Sequence, residues 1–227
     1  MNTVSMQVDM DGNIIESNLL AKVTRIEYAK DIQAGRLYMN NLSYFRKLEE
    51  DGIGDDQEGL IASGQTGTGY YKGQKAFDVK NLKAYMDGPV FCAMSIPLSK
   101  NVDGTAKFKI PQQLLREFMC DKDAKYALLV IDKEKFQNRI EAAVDEQGLY
   151  GCYGMVHYTD DESLVDLFQA ALRKRTRYAY QHEWRLVLSL STEKAFILDI
   201  GSIEDISFCL PINSSESDIE IGVNYNA

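Results

Sequence analysis

Histidine is almost missing from this chain: His157 and His182 are the only 2 among 227 residues. The 4 cysteines, Cys92, Cys120, Cys152 and Cys209, are far apart and include no C-x-x-C pair. Together these shortages argue against a zinc ligand set, and no metal site is expected. In a reducing compartment the cysteines read as half-buried packing residues. No run approaches the roughly 18 apolar residues of a membrane span. The segment Met1 to Asp11 lacks the basic-then-apolar build of a secretory signal, so a cytoplasmic, membrane-free protein is expected. No Ser or Cys sits in a Gly-x-Ser-x-Gly elbow, which removes the signature of acyl-transfer hydrolysis. A basic surplus is absent too. The net charge of −9 argues against loose, sequence-independent binding to nucleic acid, although it leaves room for a local basic groove.

What is present is an ordinary folded composition, 45% hydrophobic with 10% aromatics, long enough for one domain over 1–227. Residues 1–18 are polar, with a short hairpin around Asp11-Gly12. A strand ending near Thr24-Arg25 precedes a helix over Glu27 to Ala34, opened by Thr24-x-x-Glu27 as a capping box and stopped by Gly35. Apolar runs predict buried strands at Pro89 to Ser95 and Tyr126 to Ile131. Helices are expected at Pro111 to Met119 and Lys133 to Val144, and another opens at Thr159-x-x-Glu162 with Leu164, Leu167, Phe168 and Leu172 on its apolar face. Weak alternation gives a strand at Cys152 to Tyr158, and further strands follow at 184–188, 195–200 and 206–210. The expected fold class is α+β, a mixed and mostly antiparallel sheet with flanking helices. Between about 51 and 74 the chain carries 7 glycines and few aliphatic residues. Its Gly-x-Gly pairs do not lie between a strand and a helix, so they make no dinucleotide fingerprint. This segment reads as a long mobile loop, a flap beside a ligand cleft.

The chemistry concentrates at Gln181-His182-Glu183. This triplet follows the basic run Arg173-Lys174-Arg175-Thr176-Arg177, read as a helix end, and enters the apolar strand Trp184-Arg185-Leu186-Val187-Leu188. Strand alternation places a carboxamide and a carboxylate on one face, Trp184 on the other, and Arg185 beside Glu183, where it can orient the carboxylate. Arg25 ends an early strand and Ser95 ends a central one. Arg, Ser and Glu at three strand ends, in that chain order, resemble the pattern of one class of ADP-ribosyltransferases. Val23 to Leu37 looks like the opening strand, helix and Gly-terminated turn of that superfamily, and Gln181-x-Glu183 looks like its catalytic motif. The stretch Arg173 to Arg185, with Cys92-x-x-Ser95, also resembles bacterial domains tied to phage defence, among them the RNA-modifying toxins of toxin–antitoxin–chaperone systems. The central strand departs from the class in reading Cys-Ala-Met-Ser where Ser-Thr-Ser is common.

The resemblance implies NAD as co-substrate. Glu183 would stabilise the positive ribose of the transition state, and Gln181 would bind the acceptor. Arg25 would pair with the pyrophosphate, with Tyr28 stacking and Ser95 completing the cofactor site. The acceptor implied is RNA, held by Arg173, Arg175 and Tyr180, with Tyr178 offering a further stacking face. A cognate antitoxin is the implied partner. Three other readings stand beside it: transfer to a protein amide, a non-enzymatic acidic inhibitor or immunity-type protein, and a metal-dependent nuclease using Asp55, Asp56 and Glu58.

Overall fold

The computed structural model describes residues 7–8, 14–15, 18–48, 54–96, 99–100, 105–192, 194–213 and 219–224. Its architecture is mixed α+β with mostly antiparallel sheets. Among the described residues the largest sheet has 8 strands. Six run edge to edge in the order Gly151–Met155, Glu183–Leu188, Pro89–Ser95, Leu19–Arg25, Tyr126–Asp132, Ser207–Ile212. Each neighbouring pair is antiparallel.

The sheet forks at its centre. The end of Pro89–Ser95 pairs with Leu19–Arg25 only through Leu20↔Ser95 and Ala21↔Met94. Its beginning pairs instead with Arg36–Asn41, through Asn40↔Val90 and Asn41↔Pro89, and Arg36–Asn41 carries Phe196–Asp199 on its far side. A carbonyl left without a ladder partner in such a gap needs a donor. Lys22 supplies one, its Nζ donating to the Cys92 carbonyl at 2.5 Å while lying 4.8 Å from the centre of the Phe91 ring.

Period-2 alternation divides the side chains between two faces. Trp184, Leu186 and Leu188 join Phe91, Ala93, Leu129 and Ile131 in one core. The helices Lys133–Glu146, through Phe136 and Ile140, and Ile26–Gln33, through Ile32, cover it. The opposite face carries two separate apolar clusters. One gathers Ala21, Val23, Met94 and Leu128 under the helix Gln112–Phe118. The other gathers Val90 and Val187 with Leu42, Ala170 and Ala171. Glu183 and Arg185 lie on this divided face.

Several sequence expectations hold. The strands at 89–95 and 126–132 and the helix from Lys133 form as read. Gln7–Val8 pairs with Ile14–Ile15, while the Asp11-Gly12 turn lies outside the described residues. Other expectations fail. The glycine-rich 51–74 segment is a loop only over its described residues 54–59; from Leu60 on, Leu60–Tyr71 and Gln74–Tyr85 form a two-stranded ribbon. Thr159 opens no helix. Residues 159–166 are irregular, and the helix is the short Leu167–Ala171, capped by Asp166 and Gln169. Leu164, Leu167 and Phe168 are consequently exposed rather than core. Thr24 makes no capping bond either, because the strand runs to Arg25, the N-cap of Ile26–Gln33. Among the described residues no helix is long and apolar enough to cross a membrane.

Gly35 stops the first helix, at φ 91°, where a side chain is strained. A Cβ there would also meet the Gly201 carbonyl oxygen at 2.1 Å. Gly35→Ala is therefore expected to destabilise the protein by at least about 1 kcal/mol. A thermal melt checks this, and an unchanged midpoint contradicts the close approach.

Candidate functional site

The turn before Glu183 sets the site. Thr176–Gln181 is a 3-10 helix, and His182 closes it in the left-handed region at φ 44°. The reversal sends the chain into Glu183–Leu188 with Gln181 and Glu183 facing the same lysine. Lys174 Nζ donates to Gln181 Oε1 at 2.9 Å and to Glu183 Oε2 at 3.2 Å. Backbone bonds fix the corner: the Ser95 N–H donates to the His182 carbonyl, and the Glu183 N–H to the Tyr158 phenol oxygen, both at 2.8 Å.

Arg185 joins two carboxylates. Its Nε donates to Glu183 Oε1 at 2.7 Å, and Nη2 reaches Glu183 Oε2 at 3.2 Å. Its two terminal nitrogens also grip Glu58 as a fork, at 2.6 and 2.8 Å. Nη1 adds the Ala171 carbonyl at 3.0 Å. Lys174 lies 3.2 Å from Glu58 Oε1 as well. Two carboxylates and two cations thus balance with every member buried. Burial pushes the Glu183 carboxyl up, but the Arg185 and Lys174 charges outweigh it and hold the group well below the usual carboxylate range. The same attraction, to Glu183 and Glu58, overcomes burial at Lys174 and raises its pKa. Burial first, and then the Glu183 charge, pushes the Cys92 thiol well above its ordinary range, and the thiol hydrogen-bonds that carboxylate. Cys92 also packs against the cluster of Val90 and Val187.

This polar seam runs between the two apolar clusters of the divided face. A carboxylate offers about four lone-pair positions, and those of Glu183 meet Arg185 twice, Lys174 and Cys92. An incoming hydroxyl has to displace one donor. Lys174 is the one with other places to go, since Gln181, Glu58 and the Tyr178 ring, 4.8 Å from its Nζ, already surround it.

The structure brings Glu183 and Gln181 together, keeps Arg25 and Tyr28 apart from them, and turns the Ser95 side chain to the opposite face, level with Leu20, so that Ser95 meets the site through its backbone N–H. Ala21 is level with Met94, and Met94 with Glu183. Arg25 lies four residues further along and two strands across, roughly 16 Å away between Cα positions. There it pairs with Asp121 at 2.8 Å. Tyr28 is 52% exposed on the helix that follows. The expected basic groove is also corrected. Arg173 and Lys174 form a two-residue strand, not a helix end, and both are buried. The Arg173 guanidinium is used by the Leu60 and Ser163 carbonyls, and Arg175 by Asp55 and Asp56, so neither is placed to hold a phosphate. Tyr180 donates to Glu117 Oε1 at 2.5 Å. Tyr178 is buried, with Arg177 also over its ring.

Sequence reasoning missed Glu58, Lys174 and Tyr158 as members. Glu58 is 127 positions from Arg185, and no local pattern links them. Lys174 was hidden in a run read as a helix end. The same contacts engage two acids of the nuclease reading: Asp55 faces Arg175 and Glu58 faces Arg185. No group of three His, Cys, Asp or Glu side chains that could hold a metal occurs among the described residues.

Arg185→Met leaves two buried carboxylates facing one lysine and is expected to cost about 3–5 kcal/mol, whereas adding Glu58→Met recovers part of that loss. Denaturant unfolding of both variants checks this, and strict additivity contradicts it. The folded pKa of Glu183 is depressed, so its contribution is complete above the unfolded value of about 4.3 and is lost as pH falls through the folded one. A Glu183-dependent loss of stability already between neutral pH and about 5 would contradict this sign. Comparison with family models, with curated proteins and with solved structures finds no match to this chain.

Proposed function

We propose that this chain is an NAD-dependent ADP-ribosyltransferase with RNA as acceptor. The observation that carries the reading is an ionised carboxylate at the mouth of a strand, with a carboxamide held beside it by the same lysine. An antiparallel sheet that forks next to this point supports an ADP-ribosyltransferase-like arrangement. The toxin role and cognate antitoxin implied by the resemblance belong to the same proposal.

In the reaction the bond between nicotinamide nitrogen and ribose C1′ breaks, and its electron pair leaves with neutral nicotinamide. The ribose becomes oxocarbenium-like, and an acceptor nucleophile forms the new bond to C1′ and gives up a proton. Glu183 supplies negative charge where positive charge develops, a contribution made mainly in the transition state. Lys174 gives way toward Gln181 and Glu58 as the ribose hydroxyl arrives, while Arg185 keeps the carboxylate aimed. Gln181 orients the acceptor. Arg25 and Tyr28, distant from the seam, take no part in bond cleavage.

A second reading has one observation in its favour. The acceptor positions of Glu183 are filled from within the protein, as in a purely structural ion cluster in an interaction protein.

Glu183→Gln is expected to lower transfer from labelled NAD at least about a hundredfold. Because the residue is buried among cations, that variant also loses stability. Glu183→Asp keeps the charge but withdraws it from the ribose, and is expected to fold while transferring at least tenfold more slowly, on the order of a positioning loss. Arg25→Ala is expected to retain turnover within a fewfold. Undiminished transfer by folded Glu183→Asp and Glu183→Gln contradicts the role given to Glu183, and no NAD turnover by the unaltered chain supports the second reading.

A further inference from the structure

The ribbon Leu60–Tyr71 and Gln74–Tyr85 stands off the body. Every described side chain from Gln65 to Lys83 is exposed, apart from the position of Gly69, over which the Phe77 ring lies. Its composition runs against the rest of the chain. Between 60 and 85 there are four lysines and one carboxylate, on a protein whose net charge is −9. The one carboxylate, Asp78, is taken by Lys75 at 2.5 Å and by the Thr68 hydroxyl at 2.9 Å. Lys72, Lys80 and Lys83 are left as an exposed basic set.

Lysines on an exposed strand also guard against edge-to-edge pairing, but that role gives no reason for bare aromatic rings. Tyr70 is 70% exposed, Tyr71 69% and Phe77 60%. Gly69 pairs with Phe77 and Tyr71 with Gln74, so alternation sets the Phe77 and Tyr71 rings on one face, about 7 Å apart along the ribbon. At the tip, Lys72 and Gly73 take φ 50° and 79°, a two-residue turn of the primed kind. Asn, Asp or Gly favours the first position of that turn. Here it is a lysine, whose Nζ lies 5.3 Å from the centre of the Tyr71 ring. Cations interleaved with exposed rings on a projecting ribbon match one partner chemistry, the phosphates and unstacked bases of a single strand. A duplex hides its base faces, and an acidic protein partner does not require the rings to be bare.

The ribbon is rooted in the charge seam. Glu58 precedes its first strand by two residues, the Leu60 carbonyl accepts from Arg173, and the Ile61 carbonyl accepts from the Val165 N–H. We infer that this ribbon binds single-stranded RNA and presents it to the Glu183 seam, replacing the basic groove expected from Arg173 and Arg175. Delivery rests on the transferase reading, whereas binding does not.

The test is fluorescence anisotropy of the full chain with a labelled single-stranded RNA of about 12 nucleotides, without NAD. Reversing Lys72, Lys80 and Lys83 to Glu is expected to weaken binding at least tenfold and to reduce the slope of log affinity against log salt by about 2. Tyr71→Ala with Phe77→Ala is expected to weaken it about tenfold. Unaltered melting of these exposed variants keeps the comparison valid. The binding inference is overturned if the unaltered chain does not bind the strand, binds a duplex of equal length as tightly, or loses nothing in the ribbon variants. Ribbon-dependent dimerisation without RNA binding overturns it as well. RNA binding with no NAD turnover overturns the transferase reading and leaves ribbon binding standing; loss of RNA labelling with retained NAD hydrolysis in the lysine variant supports both.

Discussion

One guanidinium organises the charged seam of this molecule. Arg185 is 2% exposed and holds a carboxylate two residues away together with one that arrives from 127 residues earlier in the chain. Burying that cation alone would be prohibitive. Its presence requires Glu58, and therefore requires the 54–59 segment to fold back onto the sheet beside Ala171. Lys174 then balances the second carboxylate. Segments around residues 58, 174 and 185 are thus tied together by charge compensation, and the ribbon emerges directly from the first of them. The cluster separates the two apolar cores on this face and gives the sheet a polar line where a uniform core would have been simpler.

The same arrangement explains how one carboxylate can be buried and still held in its charged form. A fully ionised Glu183 would cost too much in an apolar pocket, and a neutral one could not answer a developing positive charge. Arg185 fixes its direction, while Lys174, with three alternative contacts, is the exchangeable partner. The proposed activity would need Lys174 to yield its place while Arg185 holds, rather than an unpaired acid.

What the sequence revealed follows from the range of each interaction. The Glu183–Leu188 strand, the opposite facing of Trp184 and the partnership of Glu183 with Arg185 were legible, since all arise from alternation over a few residues. Trp184 indeed packs against Phe136 and Tyr153 on the far face. The ribbon was not legible. Its strands bury almost nothing, so they carry no periodic apolar signal, and glycines at 64, 67 and 69 mimic a loop. The helix expected from Thr159 failed because Asp160 binds Thr176 and the cap falls to Asp166. Arg25 sat correctly at a strand end, but a strand has two ends. Sequence order could not show that Arg25 lies at the one opposite Ser95.

The most direct measurement of the central claim is the carboxyl carbon shift of Glu183, followed by NMR as pH falls from 7 toward about 3 with Glu183→Gln fixing the assignment. The account predicts that this carbon stays at its ionised position while surface glutamates titrate around 4.3. A Glu183 carboxyl that titrates with the surface groups would contradict it, because the carboxylate would then lack the Arg185 and Lys174 contacts on which the whole arrangement rests.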